Sequence, residues 1–290
     1  MKLLVTGASG FLGWNLCQIA ATTWNVYGTY CSRACEIPGT TLIKLDLTDF
    51  HQVKTVINQF QPDAIIHLAA HSSPNLCETQ PEETAKLNVT ASSNLAGLCA
   101  DREIPCVFTS TDLVFDGQHA PYRETDPVSP VNRYGEQKVL AELGMLERYP
   151  KTAICRMPLM FGVASTHASS FIQPFIQTLR DGKELRLFTD EVRTPVSGTT
   201  AAKGLFLALE QVQGRIHLGG RERISRYEFG CLMAEALELP TIGLKACRQQ
   251  DVQMAAPRPP DVSLDSSKAI ALGYNPPSLR EELLSLKGKV

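Results

Sequence analysis

The chain has 290 residues, 43% hydrophobic and 20% charged, a balance that fits a folded α/β protein with a large core. Twenty-eight basic against 30 acidic side chains leave a formal charge of −2 and no basic stripe, which argues against nucleic acid as a partner. No apolar run approaches the about 18 residues of a membrane span. The opening Met1-Lys2-Leu3-Leu4-Val5 breaks at Gly7, too early for a secretory signal. Nine cysteines without a Cys-x2-Cys pair or nearby His partners point to reduced thiols in a cytoplasmic protein and to no metal site.

A first strand is read over 2–6 and a helix over 11–23, with glycines at the turn between them. Residues 24–29 and 41–45 form two further strands, and 50–60 a helix halted before Pro62. The β-branched and small residues of 63–70 suit a strand covered on both faces. A long helix follows over 81–101, with Pro81 tolerated in its first turn. Then come a strand over 105–110, a helix over 131–148 and a strand over 152–156. This alternation predicts a Rossmann-like, doubly wound parallel sheet of α/β class.

After Pro158 the rhythm changes. Helices are read over 170–180, 199–211 and 226–238, extended segments over 184–188 and 215–218, and a Pro-rich tail over 256–277. The expected organisation is a nucleotide-binding domain over 1–156 and a smaller, mainly substrate-binding lobe over 157–290. Chain crossings from the second back to the first are expected.

Thr6-Gly7-Ala8-Ser9-Gly10-Phe11-Leu12-Gly13 follows a strand and opens a helix, the setting in which a Gly-rich run is informative. Gly7, Gly10 and Gly13 let the backbone approach a pyrophosphate, which the free N–H groups at the helix start stabilise. Ser9, Phe11 and Leu12 belong to the same turn. The end of the second strand reads Thr29-Tyr30-Cys31-Ser32-Arg33, with no acid until Glu36. An acid there would bond an adenosine ribose, whereas Ser32 and Arg33 favour the 2′-phosphate of NADP(H) over NAD(H). Asp46 and Leu47 are placed beside the adenine, with helix capping as the competing role for Asp46. Leu68, Ala69 and Ala70 are placed along the cofactor. Tyr134 and Lys138 are four residues apart on one helix face, so a phenol and an ammonium can converge. A nearby cation would lower the phenol pKa from about 10, as proton transfer near neutral pH requires.

The chain resembles the extended short-chain dehydrogenase/reductase family, and within it the dTDP-4-dehydrorhamnose reductase subgroup. The glycine turn and the Tyr134/Lys138 pair carry the broad likeness. Ser110-Thr111-Asp112-Leu113-Val114-Phe115-Asp116-Gly117 and the run Arg258-Pro259-Pro260 to Lys268 carry the narrower one. The resemblance implies NADPH-dependent reduction of a nucleotide-linked 4-keto-6-deoxy sugar, with a nucleotide-sugar substrate. Tyr134 would donate the proton, Lys138 would support it and hold the nicotinamide ribose, and Thr111 would bond the carbonyl oxygen. Asp112, Arg193 and Arg258 would face the substrate, with Thr194, Ser225 and Tyr227 as further candidates. Asn88 is either a relay toward Lys138 or a polar residue bonding locally. A homodimer is compatible with the resemblance.

Two departures put the particular sugar in question. Leu113 replaces a Tyr of the subgroup, and the run from His71 to Glu78 lacks its usual Asp and Lys. Two alternatives stay open within the family: an epimerase or dehydratase, and a non-catalytic regulatory subunit like that of methionine adenosyltransferase.

Overall fold

Seven strands form the central sheet of the computed structural model, which describes residues 1–168 and 170–290. They are β1 (Lys2–Thr6), β2 (Asn25–Tyr30), β3 (Thr40–Lys44), β4 (Ala64–His67), β5 (Cys106–Thr111), β6 (Ala153–Met157) and β7 (Gly214–His217). All pair in parallel, in the spatial order β7-β6-β5-β4-β1-β2-β3. Strand order reverses between β1 and β4, which opens a crevice at their carboxyl ends.

Alternation along β1 sends neighbouring residues to opposite faces. Leu3 and Val5 pack under α1 (Phe11–Ala20) with Leu12 and Leu16. Leu4 packs on the other face, under α2 (Phe50–Phe60) with Val53 and Ile57. That second face also carries α3, which runs as Pro81–Ala85, a π-wound Lys86–Ala91 and Ser92–Ala100. Beside it lies α4 (Arg133–Arg148), burying Ala141 and Met145 against Phe108 and Ile154. A separate core holds α5 (Ile172–Arg180), through Ile176 and Leu179, and further on Phe229 and Met233.

The second half of the chain returns to the sheet. Gly214 to His217 pairs with Ala153 to Arg156, and α6 (Gly198–Gln211) covers the α1 face through Ala201 and Leu205. The last long helix, α7 (Arg226–Ala236), starts at a capping box in which Ser225 and Glu228 exchange bonds.

Several boundaries differ from the sequence reading. The strand expected to reach residue 70 stops at His67, because the Leu68 and Ala69 amides donate to Thr6 Oγ1 at 3.1 and 3.2 Å instead of continuing the ladder. A short helix, Pro74–Thr79, went unread although Ser73 caps it and Pro74 occupies its first turn. The Pro-rich tail is stitched down by bridges of Asp261 to Val192 and Leu264 to Tyr122, and contains a helix, Ser267–Ala271.

The approach of α4 to the loop after β5 depends on Gly135. A Cβ there would overlap the Leu113 carbonyl oxygen and lie 2.8 Å from Pro130 Cβ. Backbone on one side cannot yield as a flexible side chain would. Gly135→Ala is therefore expected to destabilise the fold by about 1–3 kcal/mol, the usual cost of overpacking, as measured by chemical denaturation.

Candidate active site

A cleft of about 840 Å³ runs along the carboxyl ends of the strands. One end is shaped for a dinucleotide. Gly7 holds φ +69°, and a Cβ there would come within 2.8 Å of Ala69 Cα, so a side chain would fill the floor of the cleft. The start of α1 has no side-chain cap, whereas Asp49, Asn132, Ser197 and Ser225 cap α2, α4, α6 and α7. Its first-turn amides therefore suit an anionic ligand group, and the residues present fit a dinucleotide.

Ser9, Gly10, Phe11, Leu12 and Gly13 line this end, facing Leu68, Ala69 and Ala70. Ser32, Asp46 and Leu47 line its far part, while Arg33 is exposed and is not among the lining residues. The competition for the α2 cap is resolved in favour of Asp49, which accepts from the Gln52 amide. Asp46 instead accepts from the Thr48 amide and hydroxyl at 2.9 and 2.7 Å.

Thr111, Tyr134 and Lys138 meet on the cleft wall. Thr111 is the last residue of β5, and its Oγ1 accepts from the Leu113 amide at 3.2 Å. Asn132 starts α4, accepting from the Gly135 amide at 3.0 Å while donating to Pro257 O at 3.0 Å. That bond fixes the helix start against the tail. Lys138, 2% exposed, rests its Nζ 3.9 Å from the centre of the Phe108 ring.

The electrostatics correct one expectation. Burial, then the charge of Asp112, pushes the Tyr134 phenol above its ordinary 10, and only the Thr111 hydroxyl pulls the other way. Lys138 is itself drawn down to about 7, because burial outweighs the attraction of Glu142. Desolvation has overtaken the pairwise effect that helical spacing suggested. At neutral pH the phenol therefore keeps its proton.

Asn88 is buried and bonds away from Lys138. Its amide donates to His71 O at 3.1 Å and Gln137 Oε1 at 2.7 Å, and its Oδ1 accepts from the His71 amide at 2.8 Å. It braces the His71 loop against α4.

The opposite end of the cleft is built mainly from charged side chains of the second half of the chain. Arg193 lies between Asp112 and Glu191, with Nε 3.6 Å from Asp112 Oδ2 and Nη2 3.4 Å from Glu191 Oε1. It also donates to Val192 O at 2.7 Å and Pro259 O at 3.3 Å. Arg226 shares Glu191 at 3.4 Å and stacks 4.5 Å from the Phe171 ring centre. Arg258 donates to Asn75 Oδ1 at 3.1 Å. Among the described residues, Arg226 and Arg258 each keep a buried Nη1 with no hydrogen-bond acceptor, and Asp112 Oδ2 has no hydrogen-bond donor beyond the ion-pair contact with Arg193. Such groups call for a ligand.

Thr194, Ser225 and Tyr227 fall outside the lining: Thr194 Oγ1 accepts from the Leu264 amide at 3.3 Å, and Ser225 caps α7. Sequence reading missed Glu191, Arg226 and Phe171. The Ser-x2-Glu capping box was a usable signal for Arg226, since it marks that residue as the first of a helix. Glu191 had a weaker one, its i, i+2 relation to Arg193 on an extended segment.

Burial raises the Asp112 carboxyl from 3.8 to about 6, against the opposing pull of Arg193. Between those values the folded protein holds a proton that the unfolded chain releases. This contribution to stability is thus full at low pH and lost as pH rises through about 6. Asp112→Asn does not titrate, so its stability relative to wild type should increase between about pH 4 and pH 7, by roughly 2 kcal/mol. Denaturation at the two pH values checks this, and a pH-independent difference would contradict it.

The RmlD substrate binding domain family matches residues 1–287 of the chain. Methionine adenosyltransferase 2 subunit beta of Xenopus laevis is 33% identical over 280 residues, covering 94% of this chain and 82% of that protein. The probable low-salt glycan biosynthesis reductase Agl14 of Haloferax volcanii is 30% identical over 295 residues, with 99% and 97% covered. The crystal structure of a hypothetical dTDP-4-dehydrorhamnose reductase from Sulfolobus tokodaii superposes with a TM-score of 0.83 at 34% identity, covering 93% of this chain and 94% of that one. With its parallel sheet, glycine turn and Tyr134/Lys138 pair, this chain belongs to the RmlD substrate binding domain family of extended short-chain dehydrogenases/reductases.

Proposed function

We propose that the protein is an NADPH-dependent reductase of a nucleotide-linked 4-keto-6-deoxy sugar, of the kind that leads to dTDP-L-rhamnose or a close analogue. The observation that carries this reading is the position of Thr111, Tyr134 and Lys138. They stand where the dinucleotide-shaped end of the cleft meets its arginine-lined end.

A reduced nicotinamide, when bound, supplies the hydride. Tyr134 holds a proton at neutral pH and delivers it to the carbonyl oxygen, which the Thr111 hydroxyl also bonds. Lys138 would hold the ribose and, in its charged form, would stabilise the negative charge left on the phenol once its proton is transferred. Arg226 and Arg258 take the substrate diphosphate with their unpartnered Nη1 groups, since charge-assisted bonds are the strongest a guanidinium makes. Asp112 accepts from a sugar hydroxyl through Oδ2, which pairs with Arg193 but takes no hydrogen bond among the described residues. All nine cysteines are unpaired, so a reducing, cytoplasmic setting belongs to the same reading. Among the described residues no helix is long and apolar enough to cross a membrane.

A second reading, a non-catalytic subunit, is favoured by the likeness to methionine adenosyltransferase 2 subunit beta. The presence of all three catalytic groups weighs toward an enzyme. NADPH consumption against a panel of nucleotide-linked keto sugars separates the two. Turnover should appear with a 4-keto-6-deoxy sugar, and Tyr134→Phe should remove nearly all of it while keeping NADPH affinity within a few-fold. Cofactor binding without turnover on any member of the panel would favour the subunit.

Preference for NADPH rests on Ser32 at the cleft, Arg33 beside it and the lack of an acid before Glu36. Arg33→Ala should weaken NADPH binding by about 1–3 kcal/mol and leave NADH almost unchanged, as read by fluorescence titration. Equal weakening of both would remove Arg33 from this role.

A further inference from the structure

Glu142 lies one helical turn beyond Lys138 on α4 and is 1% exposed. It closes a network that spans three adjacent strands. Ser110 of β5 donates to Oε1 at 2.6 Å, and Arg156 of β6 donates through Nε and Nη2 at 2.9 and 2.8 Å. Arg215 of β7 adds a bond from Nε at 3.0 Å. Burial alone would raise the Glu142 carboxyl, but the bonds and charge of Arg156, with those of Ser110 and Arg215, carry it below its ordinary range. Glu142 is therefore charged.

The other groups facing Lys138 are neutral. On its own helix, Tyr134 keeps its proton. From β4 comes His67, whose state follows from its bonds. Thr6 Oγ1 accepts from two amides, so its proton goes to His67 Nδ1 at 2.6 Å. His67 Nε2–H then donates to Ser92 Oγ at 3.0 Å, and Ser92 donates to Asn88 O at 2.9 Å. Cys77, on the short helix before α3, donates its thiol to His71 O at 3.3 Å and has its pKa raised by burial. Phe108 and Thr111 of β5 do not titrate near neutrality. Glu142 is the anion in this set.

We propose that Glu142 is a positioning residue that sets the charge of Lys138, and that Arg156 and Arg215 tune its field from the far side. The order of strands makes this directional. Lys138 lies over β5, whereas the two arginines reach Glu142 from β6 and β7, successively farther away by about 4.8 Å per strand. The carboxylate thus stands between the ammonium and the guanidinium groups. Its loss would leave Lys138 facing two uncompensated cations.

The test titrates Lys138 directly, by NMR of the protein labelled with 13C at the lysine ε-carbon, with the resonance assigned from Lys138→Arg. No substrate is present, so the result stands apart from the reductase reading, which supplies only the consequence for turnover. Wild type should titrate near pH 7. Glu142→Gln should lower the midpoint by about one unit or more, and Arg215→Met should raise it. Opposite shifts support the proposal. A folded Glu142→Gln protein with an unchanged midpoint would overturn it, even if its melting temperature fell, because Glu142 would then only brace the helix. If Glu142→Gln fails to fold, Arg215→Met decides, and an unmoved midpoint there also overturns the proposal.

Discussion

The contact of α4 with the carboxyl ends of β5 and β6 is the constraint on which the rest of the site depends. One face of this helix buries Tyr134, Lys138 and Glu142, a phenol, an amine and a carboxylate, beside an apolar sheet. Buried charges are costly unless paired and hydrogen-bonded, and this face meets that demand through Ser110, Arg156 and Arg215. Such a network contributes little net stability compared with an apolar core of the same volume. Its effect is on register: sliding the helix by one residue would strand Glu142 and Arg156 apart, each without its counter-charge.

Desolvation then shapes the chemistry of the wall. The same burial moves Tyr134 up, Lys138 down and Asp112 up, each toward its neutral form. The site therefore presents a phenol that keeps its proton and an ammonium balanced near neutral pH. This combination suits proton donation to a carbonyl better than a standing phenolate would.

The two ends of the cleft are held in one frame because the chain crosses between them. The second half supplies β7 at the sheet edge and α6 over α1. The tail is tied to the start of α4 by Asn132 and to Val192 by Asp261. Arg193, Arg226 and Arg258 come from three separate stretches, yet they converge on Asp112, Glu191 and Asn75. Fixing guanidinium groups on anchored elements limits the entropy lost when they engage an anion.

Local physics was enough to read much of this from the sequence. The Gly7-to-Gly13 turn after a buried strand, the β-α alternation and the i, i+4 placement of Tyr134 and Lys138 each follow from spacing over a few residues. What the tertiary structure alone decided is non-local. The direction of the Tyr134 shift depends on how fully other elements enclose the phenol. Asn88 bonds to His71 and Gln137, and Asp112 and Glu191 both pair with Arg193 across the fold. The early end of β4 at His67 likewise answers to a partner elsewhere, the Thr6 hydroxyl. Propensity and periodicity act along the chain, whereas desolvation and charge pairing depend on what folding brings together in space.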